Sequence, residues 1–373
     1  MSLIGDILDR VLFPNREVHG IPVLDGAFSP NQRLDLANPI GEEIASPDDL
    51  ALGPDGALYI SSGDAILRCV GPDFSERSNF ASFSSPVGGL AWTGDGRLIA
   101  CVSNQGLVAL SANGEPVGKL DSVSGEPIAC PTSVTTAPDG TIYATDGSRT
   151  HPPEMWLADL MQNLPPSGRL ISCNANLGEA RVRADRLAWP SGVVVSHNED
   201  EVWAAESWRH RLTAFSRTGD RQRVIVKNYP GYPARIVRGA DSGYWMAFFG
   251  LRTQLTEFVL REREFCEAMM KTVEPDLWIG PTLGGRFDYR EPTQIGRIKK
   301  LGIQKPWAPA RSYGLVARLN SDGEPAESLH SRVDGRIHGV TGLSVVGTRV
   351  LAVSKGRNCL VELPSRADDN KRG

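Results

Sequence analysis

The sequence predicts an all-β protein, a six-bladed β-propeller with helical cap insertions at about 147–168 and 251–310. Three observations predict it. A strand–turn–strand unit recurs six times along the chain, the copies are spaced at about 40–45 residues with four strands per period, and turn-forming residues are frequent, with 39 glycines and 26 prolines among 373 residues.

The first unit is Ser46–Ile60 (SPDDLALGPDGALYI), an alternating apolar run, a Pro-Asp-Gly turn and a return run. Ser85–Ala100, Cys130–Asp146, Trp189–Glu206, Tyr232–Ala247 and Val340–Val353 repeat it. Starts at 47, 86, 131, 190 and 233 lie 39, 45, 59 and 43 residues apart. A second strand pair follows each hairpin, as in Ala65–Cys69 and Gly106–Leu110. The Asp-Gly turns fit a two-residue type I′ hairpin, with positive φ at both central residues. Radial closure of six blades protects the sheet edges.

Two insertions lengthen the period. Residues 147–168 carry a short helical pattern through Met155, Leu157, Leu160 and Met161. In the second, Thr253–Thr272 reads as one amphipathic helix and Ile295–Leu301 as a short basic one. Both insertions are expected over one mouth of the ring as a cap. Ahead of the repeats, residues 1–45 read as a short amphipathic helix (Met1–Phe13) and a wrapping segment that supplies the strand closing the ring. Residues 46–363 form the propeller, and 364–373 read as a disordered tail.

The composition excludes several classes. Hydrophobic residues are 40% and charged residues 23%, an ordinary globular balance. The net charge of −4 leaves no basic footprint for nucleic acid. No apolar run is long enough to span a bilayer. The six cysteines come no closer than 29 residues, so no metal-ligand or redox pair is spaced among them, and they read as reduced thiols in a cytoplasmic protein.

Three stretches carry a family resemblance: the ESWRHR run at 206–211, the YPGYP run at 229–233 and TDGSR at 145–149. The chain over 45–363 resembles the strictosidine-synthase-like branch of the six-bladed propellers, related to the senescence-marker-protein/gluconolactonase and paraoxonase groups. The resemblance implies a small-molecule site at one end of the central channel. It also implies, for the hydrolytic relatives, a calcium ion held by a blade-one Glu, Asn residues of blades three and four and a blade-five Asp. Those positions fall here on Asp48, Thr132, Ser191 and Ala234, the last followed by Arg235. Three of the four ligands are lost and a cation adjoins the site, so no cofactor is expected, and calcium would find its family ligands largely replaced. The condensing relatives use a sixth-blade Glu, and that position falls on or near Thr341, with no carboxylate.

The candidate catalytic residues are therefore Asp48 and His338 as general base and Arg235 as partner to an oxyanion. Asp49, Thr132, Ser191, Tyr232, Trp208, His210 and Thr341 are candidates for substrate contact. Each has a structural alternative: Asp48 as an ion pair with Arg235, the Glu206–His210 cluster and Asp146 as blade-to-blade hydrogen bonding, Tyr232 as core. In a continued strand Glu206, Trp208 and His210 would share one face. The functional expectation is an ester- or lactone-type hydrolase acting on a small molecule. The alternatives are a lyase, cyclase or condensing enzyme and a non-catalytic ligand-binding propeller.

Overall fold

Six four-stranded antiparallel sheets form the body of the protein, and burial is deepest in their middle strands. In the second blade the strands Leu98–Val102 and Gly106–Leu110 are buried along their whole length, whereas the outer strand Pro116–Leu120 is mostly exposed. A strand stacked on both faces must be apolar at every position, and LIACV is. The structure, a computed structural model, describes residues 20–162, 164–285 and 311–365, and the backbone alone at 299–300 and 303–304.

The inner strands, blade by blade, are Pro47–Leu52, Val87–Trp92, Pro131–Thr136, Pro190–Val195, Gly231–Arg238 and Val340–Val346. Each sheet continues outward through three more strands. The protein is thus a six-bladed propeller. Its apolar core consists largely of layers between neighbouring blades, as where Tyr143 and Leu170 of blade 3 meet Val193, Val195 and Phe215 of blade 4. Blade 6 takes its outermost strand from the other end of the chain: Asn38–Ile40 pairs antiparallel with Cys359–Glu362, Asn38 opposite Glu362. Closure therefore joins the two ends of the ring by backbone hydrogen bonds.

Three local expectations change. The Asp-Gly turns are not type I′. Only the glycine takes positive φ (Gly56 +76°, Gly96 +82°, Gly140 +83°). Gly56 N donates to Gly53 O and Gly53 N to Ala57 O, which describes a type I turn followed by a left-handed glycine. Thr253–Thr272 is two helices, α2 (Gln254–Arg261) and α3 (Arg263–Thr272), broken at Glu262 (φ −91°, ψ 75°). Thr253 caps the first by accepting from Thr256 N. Within Ile295–Leu301, Lys299–Lys300 pairs as a short strand with Ile303–Gln304 rather than forming a helix turn. The remainder of that stretch, Met1–Phe13 and the tail from 366 lie outside the described residues. The first insertion contains a 3₁₀ turn at Pro153–Met155 leading into α1 (Trp156–Gln162). Helix α1 packs against α3, with Leu160, Met161, Cys266 and Met269 in one apolar cluster.

Close approach of the inner strands demands glycine at several points, most tightly at Gly192. A Cβ on Gly192 would lie 2.2 Å from the Ala234 carbonyl oxygen of blade 5. Gly192→Ala is expected to lose about 1–3 kcal/mol in a denaturant titration by forcing blades 4 and 5 apart. Gly94→Ala, where nothing stands within 4 Å, is expected to change stability by less than about 0.5 kcal/mol. Equal losses would show that the inner strands separate freely.

Candidate active site

The inner strands share an irregularity at the same end. Each carries one more residue than its partner strand there: between Pro47 and Leu50, Val87 and Leu90, Pro131 and Ser133, Pro190 and Gly192, Pro233 and Ile236, and Val340 and Gly342. A β-bulge turns a strand and re-aims the side chain at the extra position. The bulged residues are Asp48 and Asp49, Gly88 and Gly89, Thr132, Ser191, Ala234 and Arg235, and Thr341. Six bulges thus gather the polar candidates of five distant repeats, and the glycines of blade 2, at one mouth of the channel.

A second ring stands just outside it. The residue ending the second strand of each blade donates its backbone N–H to a carbonyl at the start of the same blade's inner strand. The donors are Gly63, Ser103, Gly147, Ser207, Arg252 and Lys355, and the acceptors Ser46, Pro86, Cys130, Trp189, Pro230 and Gly339. Lys355 is the member of this ring that brings a cation to the mouth.

The mouth holds a cavity of about 350 Å³. Its floor is the bulge ring, and the cap contributes Pro153, Glu154, Trp156 and Leu283 to its walls. One side is aromatic, with Trp156, Trp189 and Phe249 lining it. The other is ionic. Asp48 Oδ2 accepts from Arg235 Nη2 at 2.6 Å, and Asp48 Oδ1 from Lys355 Nζ at 2.9 Å. Arg235 Nη1 donates to the Ser191 carbonyl at 2.7 Å, and its Nε lies 3.3 Å from Asp49 Oδ2. Gly88 of blade 2 adjoins the pair: a Cβ there would stand in ordinary contact with Arg235 Nη2 at 3.5 Å and Asp48 Oδ2 at 3.6 Å. Burial opposes the charge of Asp48, but Lys355 and Arg235 outweigh it and hold the carboxyl below its ordinary value.

Arg235 also lines a separate cavity further along the channel, and Asp49 belongs to that one. Asp49 Oδ2 accepts from Leu90 N at 3.0 Å, which ties blade 1 to blade 2. Burial pushes its carboxyl up to about 6 against the pull of Arg235. The two adjacent aspartates therefore face different spaces and hold opposite proton affinities.

The structure brings Asp48, Thr132, Ser191, Arg235 and Thr341 together in the cavity lining. It does not bring the other candidates there. Both ring nitrogens of His338 are engaged, Nδ1 with Ser312 Oγ at 2.8 Å and Nε2 with the Arg332 carbonyl at 2.7 Å. Burial lowers its pKa, and the ring does not line the cavity, so the base role expected for it has no geometric footing. The strand ending at Glu206 does not continue. Residues 207–210 form a turn, with His210 at φ +49°, so the alternation expected through His210 fails.

Instead, the 206–210 run holds the scaffold and the cap. Glu206 accepts from Ala188 N, Arg209, Arg211 and Thr213. Trp208 Nε1 donates to Asp159 Oδ1 of α1 at 2.8 Å, and Trp208 stacks on the wall residue Trp189. His210 and Tyr232 lie against Glu257 of α2, with Tyr232 Oη 3.3 Å from its Oε1, and Arg252 Nε donates to the same oxygen at 3.1 Å. Asp146 is likewise structural, paired with buried Arg169. Sequence reasoning missed Lys355 and the wall residues Trp156, Trp189 and Phe249. Aligning the ends of the second strands, where Gly63, Ser103 and Ser207 stand, would have singled out Lys355.

The site does not suit calcium. Thr132 Oγ1 lies 2.5 Å from the Pro190 carbonyl, and Ser191 Oγ 2.7 Å from the Pro233 carbonyl and 2.6 Å from Ser207 Oγ. Both hydroxyls thus tie a blade to the next one. Asp48 is already neutralised by two cations, one of them a guanidinium on the channel floor. Hard cations need several free oxygens with net negative charge, and among the described residues no three acidic, His or Cys side chains are placed so that they could hold a metal ion.

Fold and site together define a six-bladed β-propeller with a helical cap over a polar channel mouth. Residues 132–216 match the strictosidine synthase family model, and 26–65 the model for the N-terminal region of strictosidine synthase-like proteins. By sequence the chain resembles the strictosidine-synthase-like branch of these propellers over those stretches. It is 27% identical over 210 residues to the Arabidopsis thaliana protein strictosidine synthase-like 6, covering 55% of this chain and 56% of that protein. It is 27% identical over 276 residues to the adipocyte plasma membrane-associated protein of Bos taurus, covering 67% of this chain and 66% of that protein. The chain thus spans a little over half the length of the plant relative. Among solved structures, a Xanthomonas campestris gluconolactonase superposes with a TM-score of 0.57 at 16% identity, covering 89% of this chain and 91% of that one. Regucalcin of Agrobacterium tumefaciens, a calcium-binding protein, superposes with a TM-score of 0.56 at 11% identity, covering 88% and 93%. At these identities they share the fold. No helix among the described residues is long and apolar enough to cross a membrane.

The cap's attachment is open to test. Glu257→Ala leaves buried Arg252 without its carboxylate. A loss of about 3–5 kcal/mol in stability is expected, with proteolytic cleavage appearing first between 253 and 272. Unchanged stability and an intact cap would show that α2 is held by apolar contact alone.

Proposed function

We propose that the protein is a small-molecule enzyme, an ester- or lactone-type hydrolase that works without a bound metal. The observation that supports it is the Asp48–Arg235–Lys355 cluster on the floor of a capped, aromatic-walled cavity. A carbonyl compound lying against the aromatic side would present its carbonyl carbon above Asp48. The Asp48 carboxylate accepts a proton from the attacking water. Lys355 and Arg235 stabilise the negative charge that develops on the carbonyl oxygen, the role a cation fills in relatives that bind one. The proton then passes to the leaving alkoxide, which releases an alcohol and a carboxylate. The condensing alternative draws no support here, because the sixth-blade position that would need a carboxylic acid holds Thr341. A ligand-binding propeller is the second reading. It is favoured by the saturation of Asp48 with two cations, which weakens it as a base. We assign the reaction to the cytoplasm, in keeping with six free cysteines, five of them buried.

A panel of aryl esters and γ- and δ-lactones tests the reading. Asp48→Asn is expected to lower kcat/KM by about 10²–10⁴-fold. Because the Asp48 carboxyl is held below its ordinary value of 3.8, activity is expected to persist as pH falls and to fail only below that value. An acid limb near 6 would instead identify Asp49. Absence of turnover on the whole panel would favour the ligand-binding reading.

A further inference from the structure

We propose that the ionic side of the cavity is a carboxylate subsite, in which Lys355 and Thr341 of blade 6 hold the acid group of an aromatic acid whose ring lies against Trp156, Trp189 and Phe249. The inference rests on the reading of the cavity as a small-molecule site and names the class of molecule it takes.

Three observations carry it. The first is a surplus of donors. Arg235 is shared between Asp48 and Asp49, whose Oδ2 lies 3.3 Å from its Nε, and the cavity's other carboxylate, Glu154, accepts from Ser103 Oγ, so the spare donors are those of Lys355. Of the three Lys355 N–H groups, one donates to Asp48, and the side chain remains 31% exposed beside the cavity. The second is Thr341. It is 7% exposed and lines the cavity, and its Oγ1 is buried with no hydrogen-bond partner among the described residues. A buried hydroxyl left unpaired costs about 1–3 kcal/mol, which a ligand oxygen accepting from it recovers. Its counterparts Thr132 and Ser191 are bonded to the next blade, so Thr341 differs from the bulge residues that resemble it. The third is the wall. Three aromatic side chains on one side and ammonium and hydroxyl donors on the other suit a ligand with an apolar ring and a compact oxygen-bearing anion. An amine would have to displace Lys355 or Arg235 from Asp48 and face the repulsion of both.

The test uses the full-length protein with phenylacetate, the neutral phenylacetamide and the cationic phenethylamine as probes. Binding is followed by calorimetry and by tryptophan fluorescence, to which Trp156 and Trp189 report. Phenylacetate is expected to bind about tenfold or more tighter than the amide, and phenethylamine not to bind. Lys355→Met and Thr341→Val are each expected to weaken phenylacetate about tenfold, Lys355→Met leaving the amide unchanged, while Lys355→Arg retains acid binding. Thr341→Val is isosteric and carries the test should Lys355→Met fail to fold. The inference is overturned if the amine binds as well as the acid, if acid affinity survives both substitutions, or if none of the probes binds. Ester turnover without acid binding would sink this inference and leave the hydrolase reading standing. Acid binding without ester turnover would do the reverse.

Discussion

The structure depends on one extra residue per blade. An inner strand in perfect register would alternate its side chains between the two neighbouring blades, leaving little but backbone at the channel. The surplus residue at the cap-facing end breaks that alternation and turns a side chain towards the axis. Repeated six times, it converts a stacking scaffold into a ring of addressable positions. The same device sets the tight contacts between blades, because a bulged backbone approaches its neighbour closely enough to demand Gly89 and Gly192. Fold and site are therefore built from the same geometric irregularity.

What occupies those positions decides the chemistry. Two of the six are hydroxyls that reach the next blade's carbonyl. They hold the ring together and leave no lone pair ideally placed for a metal. A third, Arg235, fills the channel between two cavities and binds Asp48 on one side and approaches Asp49 on the other. Lys355, from the outer ring, completes a cluster with fixed positive charge. A guanidinium and an ammonium need no loading and no exchange, but they cannot gather a carbonyl and a water as a divalent ion can. The arrangement holds the Asp48 carboxyl below its ordinary value and keeps it ionised.

Much of this was legible in the sequence, because proline-led units at a period near 40 residues (Pro47, Pro86, Pro131, Pro190, Pro233) report inner-strand starts directly. The bulge positions follow those prolines, and the family resemblance singled out Asp48, Thr132, Ser191 and Ala234 with its neighbour Arg235 among them. What could not be read was anything that depends on where a strand stops. Trp208 and His210 looked like channel residues only while Glu206–His210 was imagined as extended; a left-handed His210 ends the strand and sends them under the cap. Asp-Gly is compatible with two turn types, and composition does not choose between them. The break at Glu262 is hidden because the apolar spacing on either side is continuous. Lys355 escaped because its significance lies in a backbone hydrogen bond to Gly339 shared by six dissimilar residues.

Fixed cations occupy the place of a metal at the channel mouth, and calorimetric titration of calcium into the chelator-treated protein decides the matter. No saturable heat is expected up to about 10⁻³ M, the weak end of protein calcium sites, and no change when Asp48 is replaced by asparagine. Saturable binding at micromolar calcium, abolished by Asp48→Asn, would contradict it.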